Sequence, residues 1–85
     1  MISINITDEK MEIRGHAGYS KSGQDIVCAA VSTLAYTFIE LNDVDVIEYT
    51  ADSIIAEYDK DTDISFIKKG FELIEKDYPD NIRIS

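Results

Sequence analysis

The sequence predicts an α+β domain in which five strands form a mixed or antiparallel sheet and two helices pack on one face of it. Three observations lead to this fold. Apolar and polar residues alternate in short segments at both ends and in the middle of the chain, which is typical of half-buried strands. Two longer segments have the apolar spacing or composition of helices. The segments follow the order ββαββαβ.

The first two strands are predicted as a hairpin followed by a helix. Residues 2–6, ISINI, alternate isoleucine with polar residues, and residues 11–16, MEIRGH, alternate again after a polar turn. A link over residues 17–24 contains two glycines. From Asp25 to about Leu41 we expect a helix, because Asp25 is a favourable N-cap and mainly apolar residues follow it.

A second hairpin, a second helix and a last strand complete the chain. Residues 44–50 and 53–59 alternate around a turn at Ala51–Asp52. A helix is expected from about Thr62 to Tyr78, where Pro79 ends it, and residues 81–85 form the last strand. This helix carries an apolar stripe at steps of three and four: Ile64, Ile67, Phe71, Ile74 and Tyr78.

Gly70 interrupts this second helix, where it costs about 1 kcal/mol relative to alanine. Close approach of another helix would account for a glycine at this position. The sequence allows either the first helix or a second copy of the chain to be that neighbour.

The composition fits one domain over residues 1–85, with 45% apolar residues. Seventeen acidic against eight basic residues give a net charge of −9, which argues against nucleic-acid binding and favours a basic peptide or protein partner. The first ten residues lack the basic start and apolar core of a signal peptide. We therefore expect a cytoplasmic protein without a membrane span or a cofactor. Because the core of so short a chain is small, association between copies would add to its stability.

The stretch GHAGYSKSGQDIVCAAVS, residues 15–32, contains the single histidine and the single cysteine. Cys28 falls in the first turn of the predicted helix, where unpaired N–H groups and the helix dipole favour a thiolate. His16 lies at the end of a strand, from which a strand–loop–helix connection can bring its imidazole to the sulfur. Together they suit nucleophilic catalysis, in which the helix-start N–H groups would also stabilise an oxyanion.

Other roles remain open for each residue of this stretch. From residue type and spacing alone, Cys28 is more typical of a small core residue than of a nucleophile. Asp25 either orients the His16 ring as a third catalytic group or serves only as the N-cap, which we favour. Ser32, one turn after Cys28, either supports the thiolate or bonds its own helix backbone. Glycines in the link permit a mobile substrate loop or a simple flexible connection.

Metal sites are not expected from the sequence. Asp59, Asp61 and Asp63 resemble the opening of an EF-hand loop, but Ile64 and Gly70 occupy the positions that require glycine and glutamate. One cysteine and one histidine cannot supply the four ligands of a structural zinc site.

The same stretch resembles the signature of the Prp family, the ribosomal-processing cysteine proteases of bacteria. The similarity is carried by Gly15-His16-Ala17, by Gly23, and by the run from Asp25 to Ser32, DIVCAAVS. It implies a homodimeric endopeptidase that removes an N-terminal extension from a large-subunit ribosomal protein. It also implies that Cys28 is the nucleophile and His16 the general base and acid.

The resemblance favours a mobile substrate loop as well, which would consist of Gly15, Ala17, Gly18, Tyr19 and Gly23. Three alternatives stay open. The chain is a non-catalytic module that binds a peptide or protein, or it acts on another protein, as a phage homologue would. In the third alternative Cys28 is a redox-sensing thiol, which would need a resolving cysteine from another chain. Eight acids and one lysine between Asp43 and Asp63 suggest that a basic substrate is attracted electrostatically.

Overall fold

The structure is a computed structural model that describes residues 1–18, 20–21 and 25–85. Its elements follow one another as β1 (Ile2–Ile6), β2 (Lys10–Gly15), α1 (Ile26–Leu41), β3 (Asp45–Tyr49), β4 (Ser53–Glu57), α2 (Ser65–Asp77) and β5 (Ile82–Ile84). The predicted ββαββαβ order and the α+β class are confirmed.

The five strands form one mixed sheet in the order β3-β4-β2-β1-β5. Three of the four neighbouring pairs are antiparallel, and β1 pairs with β5 in parallel. The central strand is β2, which forms a local hairpin with β1 and a long-range pair with β4. Because β2 is the strand that leads toward His16, this pairing fixes the neighbours of the histidine.

Both helices pack on one face of the sheet, as predicted. The core combines sheet residues with buried residues of α1 and α2: Ile2, Ile4, Met11, Ile13, Ile54, Ala56, Ile82, Val27, Val31, Ala35, Phe38, Ile67 and Phe71. Side chains on the other face of β2 are charged. There Glu12 accepts from Lys10 at 3.0 Å and also contacts Arg14, and these two cations lower the pKa of Glu12.

Several predicted boundaries shift by a few residues in the structure, and two of these shifts have a clear physical cause. The second helix begins at Ser65 instead of about Thr62, because Thr62 N–H donates to Asp59 C=O in a turn and the Asp63 carboxylate accepts from Ser65 N–H. The second strand ends at Gly15, where φ is +89°, so His16 follows the strand instead of closing it.

Gly70 faces the first helix, which decides between the two neighbours that the sequence left open. A Cβ atom at this position would lie 2.8 Å from Cδ1 of Leu34 in α1. The glycine therefore allows α2 to approach α1 within the same chain.

Both edge strands have features that interrupt a regular edge. In β3 the pairing with β4 shifts between Val46 and Glu48, at a bulge that leaves Ile47 without a partner in the ladder. In β5 the backbone N–H of Ile84 donates to the Glu75 carboxylate of α2 at 2.9 Å.

No helix in residues 1–18, 20–21 and 25–85 is long and apolar enough to cross a membrane.

Replacing Gly15 with alanine is expected to destabilise the fold by at least about 2 kcal/mol, since a left-handed φ alone costs an L-residue about 1–2 kcal/mol. The added Cβ would also lie 2.6 Å from the Met1 carbonyl oxygen. Gly18→Ala is the matched control, because Gly18 has φ +70° but no atom within 4 Å of the position that an added Cβ would take. Urea unfolding should show a clearly larger loss for Gly15→Ala, and equal losses would contradict the steric argument.

Tyr58 follows β4 and ties the first turn to the core. Its hydroxyl donates to the Thr7 carbonyl at 2.7 Å, and its ring meets Phe38 edge-on at 5.3 Å between centroids. Burial of the phenol, with a smaller effect of the Asp8 carboxylate, raises the pKa of Tyr58 to about 12. The folded state thus holds this proton more tightly than the unfolded chain, in which the phenol ionises near its ordinary pKa of about 10.

The raised pKa predicts that the Tyr58 contribution is intact below about pH 10 and is lost as the pH rises toward about 12. Tyr58→Phe should cost about 1 kcal/mol at neutral pH through the lost hydrogen bond, yet lose less stability than the wild type between about pH 9 and pH 11. Tyr36→Phe, at a 44% exposed tyrosine, is the control and should follow the wild type. Urea denaturation at several pH values measures both, and identical alkaline slopes for all three proteins would refute the assignment.

Candidate active site

His16 lies directly after the central strand, with its side chain 62% exposed. Its Nε2 atom lies 2.6 Å from Oδ1 of Asp52, in the turn between β3 and β4. The backbone brings these residues together: Gly15 N–H donates to Asp52 C=O at 2.8 Å, and Arg14 is paired with Ser53. The β2–β4 ladder therefore places the hairpin turn beside the imidazole.

Asp52 is the site residue that sequence reasoning missed. It is 36 positions from His16, and the sequence marked it only as a turn residue of the second hairpin. The missing information was the pairing of β2 with β4. Had that pairing been predicted in register, the turn of the second hairpin would have fallen next to the end of β2.

Cys28 occupies the third residue of α1 and is partly buried. Its Sγ atom accepts a hydrogen bond from the Ala17 backbone N–H at 3.3 Å. The sulfur is therefore held between the start of the helix and the backbone just after His16. A backbone N–H in this position stabilises a thiolate more than a thiol, since a full charge strengthens the hydrogen bond.

Asp25 is the N-cap of α1, with 8% of its surface exposed. One carboxylate oxygen accepts from the N–H groups of Val27 and Cys28, both at 3.0 Å, and the other accepts from Ser20 N–H at 3.2 Å. The Val27 and Cys28 N–H groups are thus engaged by the cap in this arrangement, and the expectation that the helix start stabilises an oxyanion stays a prediction.

One cavity of about 260 Å³ brings His16 and Cys28 to a common surface. Its other lining residues come from β1, β2, α1 and the second hairpin and include Ile2, Val31, Ser32, Asp52 and Ile54. A neighbouring cavity of about 410 Å³ is also lined by His16 and Cys28, together with Gly18, Asp25 and Ser32. Within the described part of the chain, the ring bonds to Asp52 and the sulfur to Ala17, so the two face the cavity without a direct hydrogen bond.

The segment after β2 is anchored at Ala17. This side chain is 2% exposed and belongs to the core, and the Ala17 carbonyl accepts from the Asn81 side-chain amide at 3.0 Å. Gly15 and Gly18 line the two cavities, one on each side of this anchor. The other two residues assigned to a substrate loop, Tyr19 and Gly23, lie outside the described residues.

The described residues contain no group of three or more histidine, cysteine or acidic side chains placed to hold a metal ion.

Comparison with known proteins first defines the class of the chain. The family model that matches residues 1–83, nearly the whole sequence, is that of a cysteine protease. The chain belongs to this family, cysteine protease Prp.

Two curated relatives carry the same description. The chain is 36% identical over 55 residues to the ribosomal processing cysteine protease Prp of Mycoplasma genitalium. The matched residues make up 65% of this chain and 56% of that protein. It is 47% identical over 36 residues to the Prp of Mycoplasma pneumoniae. Here the matched residues make up 42% of this chain and 36% of the relative. The matched region thus spans about half or less of these relatives.

Solved structures show the same fold. The essential ribosomal processing protease Prp from S. aureus, in complex with a covalently linked product peptide, is similar with a TM-score of 0.76 at 22% identity. The alignment covers 99% of this chain and 95% of that one. The S. aureus protease in complex with a substrate peptide gives a TM-score of 0.73 at the same identity and coverage.

Proposed function

We propose that residues 1–85 form a single cysteine endopeptidase domain that removes the N-terminal extension of a large-subunit ribosomal protein precursor. It acts in the cytoplasm, as a homodimer. Membership of the Prp family supports the reaction class, and the curated relatives are described as ribosomal processing enzymes. The observation that carries the proposal is the cavity of about 260 Å³ that the single histidine and the single cysteine both line.

Cys28 is the nucleophile in this proposal. Its position in the first turn of α1 and the hydrogen bond from Ala17 N–H both stabilise a negative sulfur. The Asp25 carboxylate opposes this effect, because it adds a negative charge to the same helix start. Because these effects on the sulfur oppose each other, we assign the generation of the thiolate to proton transfer from Cys28 to His16.

His16 acts as general base and then as general acid. The thiolate attacks the scissile carbonyl carbon, the carbon–sulfur bond forms, and the imidazolium gives its proton to the departing amine as the carbon–nitrogen bond breaks. The neutral ring then takes a proton from water, whose oxygen attacks the thioester. The carbon–sulfur bond breaks, the carboxylate product leaves and the proton returns to the sulfur.

The surroundings of the pair are suited to a peptide. Ile2, Ile13, Val31 and Ile54 give the cavity of about 260 Å³ an apolar wall that can take a side chain of the substrate. Ser32 lines both cavities one turn after Cys28, where its hydroxyl can donate toward the sulfur or the substrate. The segment from Gly15 to Gly23 is the substrate loop in this proposal, with Ala17 as its fixed point.

Incubation with the extended ribosomal precursor should yield a shortened product, measured by mass spectrometry. Cys28→Ala and His16→Ala should each lower kcat/KM by about 1,000-fold or more, since the two groups act as one unit. Thr33→Ala is the control: this exposed hydroxyl on the same helix bonds the Ala29 carbonyl.

Full trimming by either site variant would contradict the assignment of the residues. No trimming by the wild type would favour a binding module. Alkylation of the single cysteine then provides a second measurement, because an activated thiolate reacts rapidly at about pH 6 and an unactivated thiol does so slowly.

Cleavage of a basic precursor should slow as salt rises. The net charge is −9, and the exposed acids include Asp45, Asp52 and Glu57 on the hairpin whose turn lines the cavity. We expect kcat/KM to fall several-fold between about 50 and 500 mM NaCl, with most of the change in KM. A peptide with the same cleavage sequence but no basic residues is the control. Salt-independent cleavage of the basic precursor would remove electrostatic attraction from the proposal.

A further inference from the structure

We infer that Asp52 is a positioning residue for His16, and that it fixes which ring nitrogen exchanges protons with Cys28 and the substrate. The inference rests on the proposed function, because it concerns the same pair. It starts from the contact of 2.6 Å between His16 Nε2 and Asp52 Oδ1. Asp52 also lines the cavity of about 260 Å³ that holds both His16 and Cys28.

The fold places Asp52 at this point through several backbone contacts. Its carbonyl oxygen accepts from Gly15 N–H at 2.8 Å, immediately before His16. Its own N–H donates to Thr50 Oγ1 at 3.1 Å, and the same hydroxyl accepts from Ser53 N–H at 3.0 Å. The turn is therefore closed on itself and fastened to the end of β2. This sets the contact apart from a surface ion pair between two long, mobile side chains.

Asp52 binds one nitrogen of the His16 ring and leaves the other available for proton transfer. A carboxylate only accepts hydrogen bonds, so the neutral ring carries its proton on Nε2, directed to Asp52. The lone pair then lies on Nδ1, which takes the thiol proton and later gives it to the leaving amine. When the ring is protonated, the Asp52 charge stabilises the imidazolium.

The other ionisable groups that line the two cavities together with His16 are Asp25, Cys28 and Tyr49. Asp25 and Cys28 bond to backbone N–H groups of the helix start and of Ala17. The Tyr49 ring lies 5.7 Å from the Tyr36 ring, measured between centroids. Among the described residues, Asp52 is the group that accepts the direct hydrogen bond from the ring. The position of the imidazole is therefore the property that a change at Asp52 should alter.

Steady-state cleavage by Asp52→Asn and Asp52→Ala tests the inference. We expect kcat to fall about tenfold with KM within about twofold, a smaller loss than for a buried triad carboxylate because this pair is open to water. Asp52→Glu keeps the charge and should recover part of kcat. Asp61→Asn removes the same charge from an exposed turn and should leave kcat unchanged. A rise in KM alone, equal for Asp52→Asn and Asp61→Asn, would overturn the positioning role.

NMR of the His16 ring supplies a measurement independent of cleavage, and the signal is unambiguous because the chain has one histidine. The wild-type ring should show the nitrogen shifts of the Nε2–H form, and in Asp52→Ala these shifts should move toward those of a ring that exchanges between its two neutral forms. Unchanged kcat, or ring shifts that do not respond to the substitution, would overturn the inference. A wild type that does not cleave would refute the proposed function, while the NMR shifts would still decide the contact.

Discussion

The pairing of β2 with β4 is the constraint on which the site depends. It joins segments about 40 residues apart, with Lys10 opposite Glu57 at one end and Arg14 opposite Ser53 at the other. The ladder continues into the hydrogen bond from Gly15 N–H to Asp52 C=O, one residue before His16. Because side chains alternate along a strand, a shift of one residue in this register would turn Met11 and Ile13 out of the core and separate the turn from the imidazole.

The cysteine side of the site is set by a compromise at the start of α1. Asp25 satisfies two N–H groups that would otherwise lack partners, which stabilises the helix by about 1 kcal/mol in typical cases. The same carboxylate uses donors that a developing negative charge could have bound. The structure supplies another donor from outside the helix, the Ala17 N–H, whose residue is held by the core and by Asn81. Asp25 thus stabilises the start of the helix, while the hydrogen bond to the sulfur is donated by a separate segment, the residues just after β2.

Local sequence patterns were sufficient to predict the elements and part of the candidate site. Alternation in residues 2–6, the cap at Asp25 and the stripe through Ile67 and Phe71 each act over a few residues, so they can be read without knowledge of the fold. The role of Asp52 depends on a contact across 36 positions, which no local pattern contains. For the same reason Gly70 could be recognised as a close approach, while its partner, Leu34, required the packing of the two helices.

The two edge strands of the sheet limit how copies of the molecule can associate. An exposed strand with free backbone groups is a template for unwanted addition of further strands. Here the edge strand β3 has a bulge at Ile47. In the other edge strand, β5, the Ile84 N–H already donates to a glutamate of the neighbouring helix. Continuous sheets running from molecule to molecule are therefore disfavoured, and association would proceed through side chains on the helices or the sheet faces. Concentrated solutions should be protected against fibrous aggregation by the architecture of these borders.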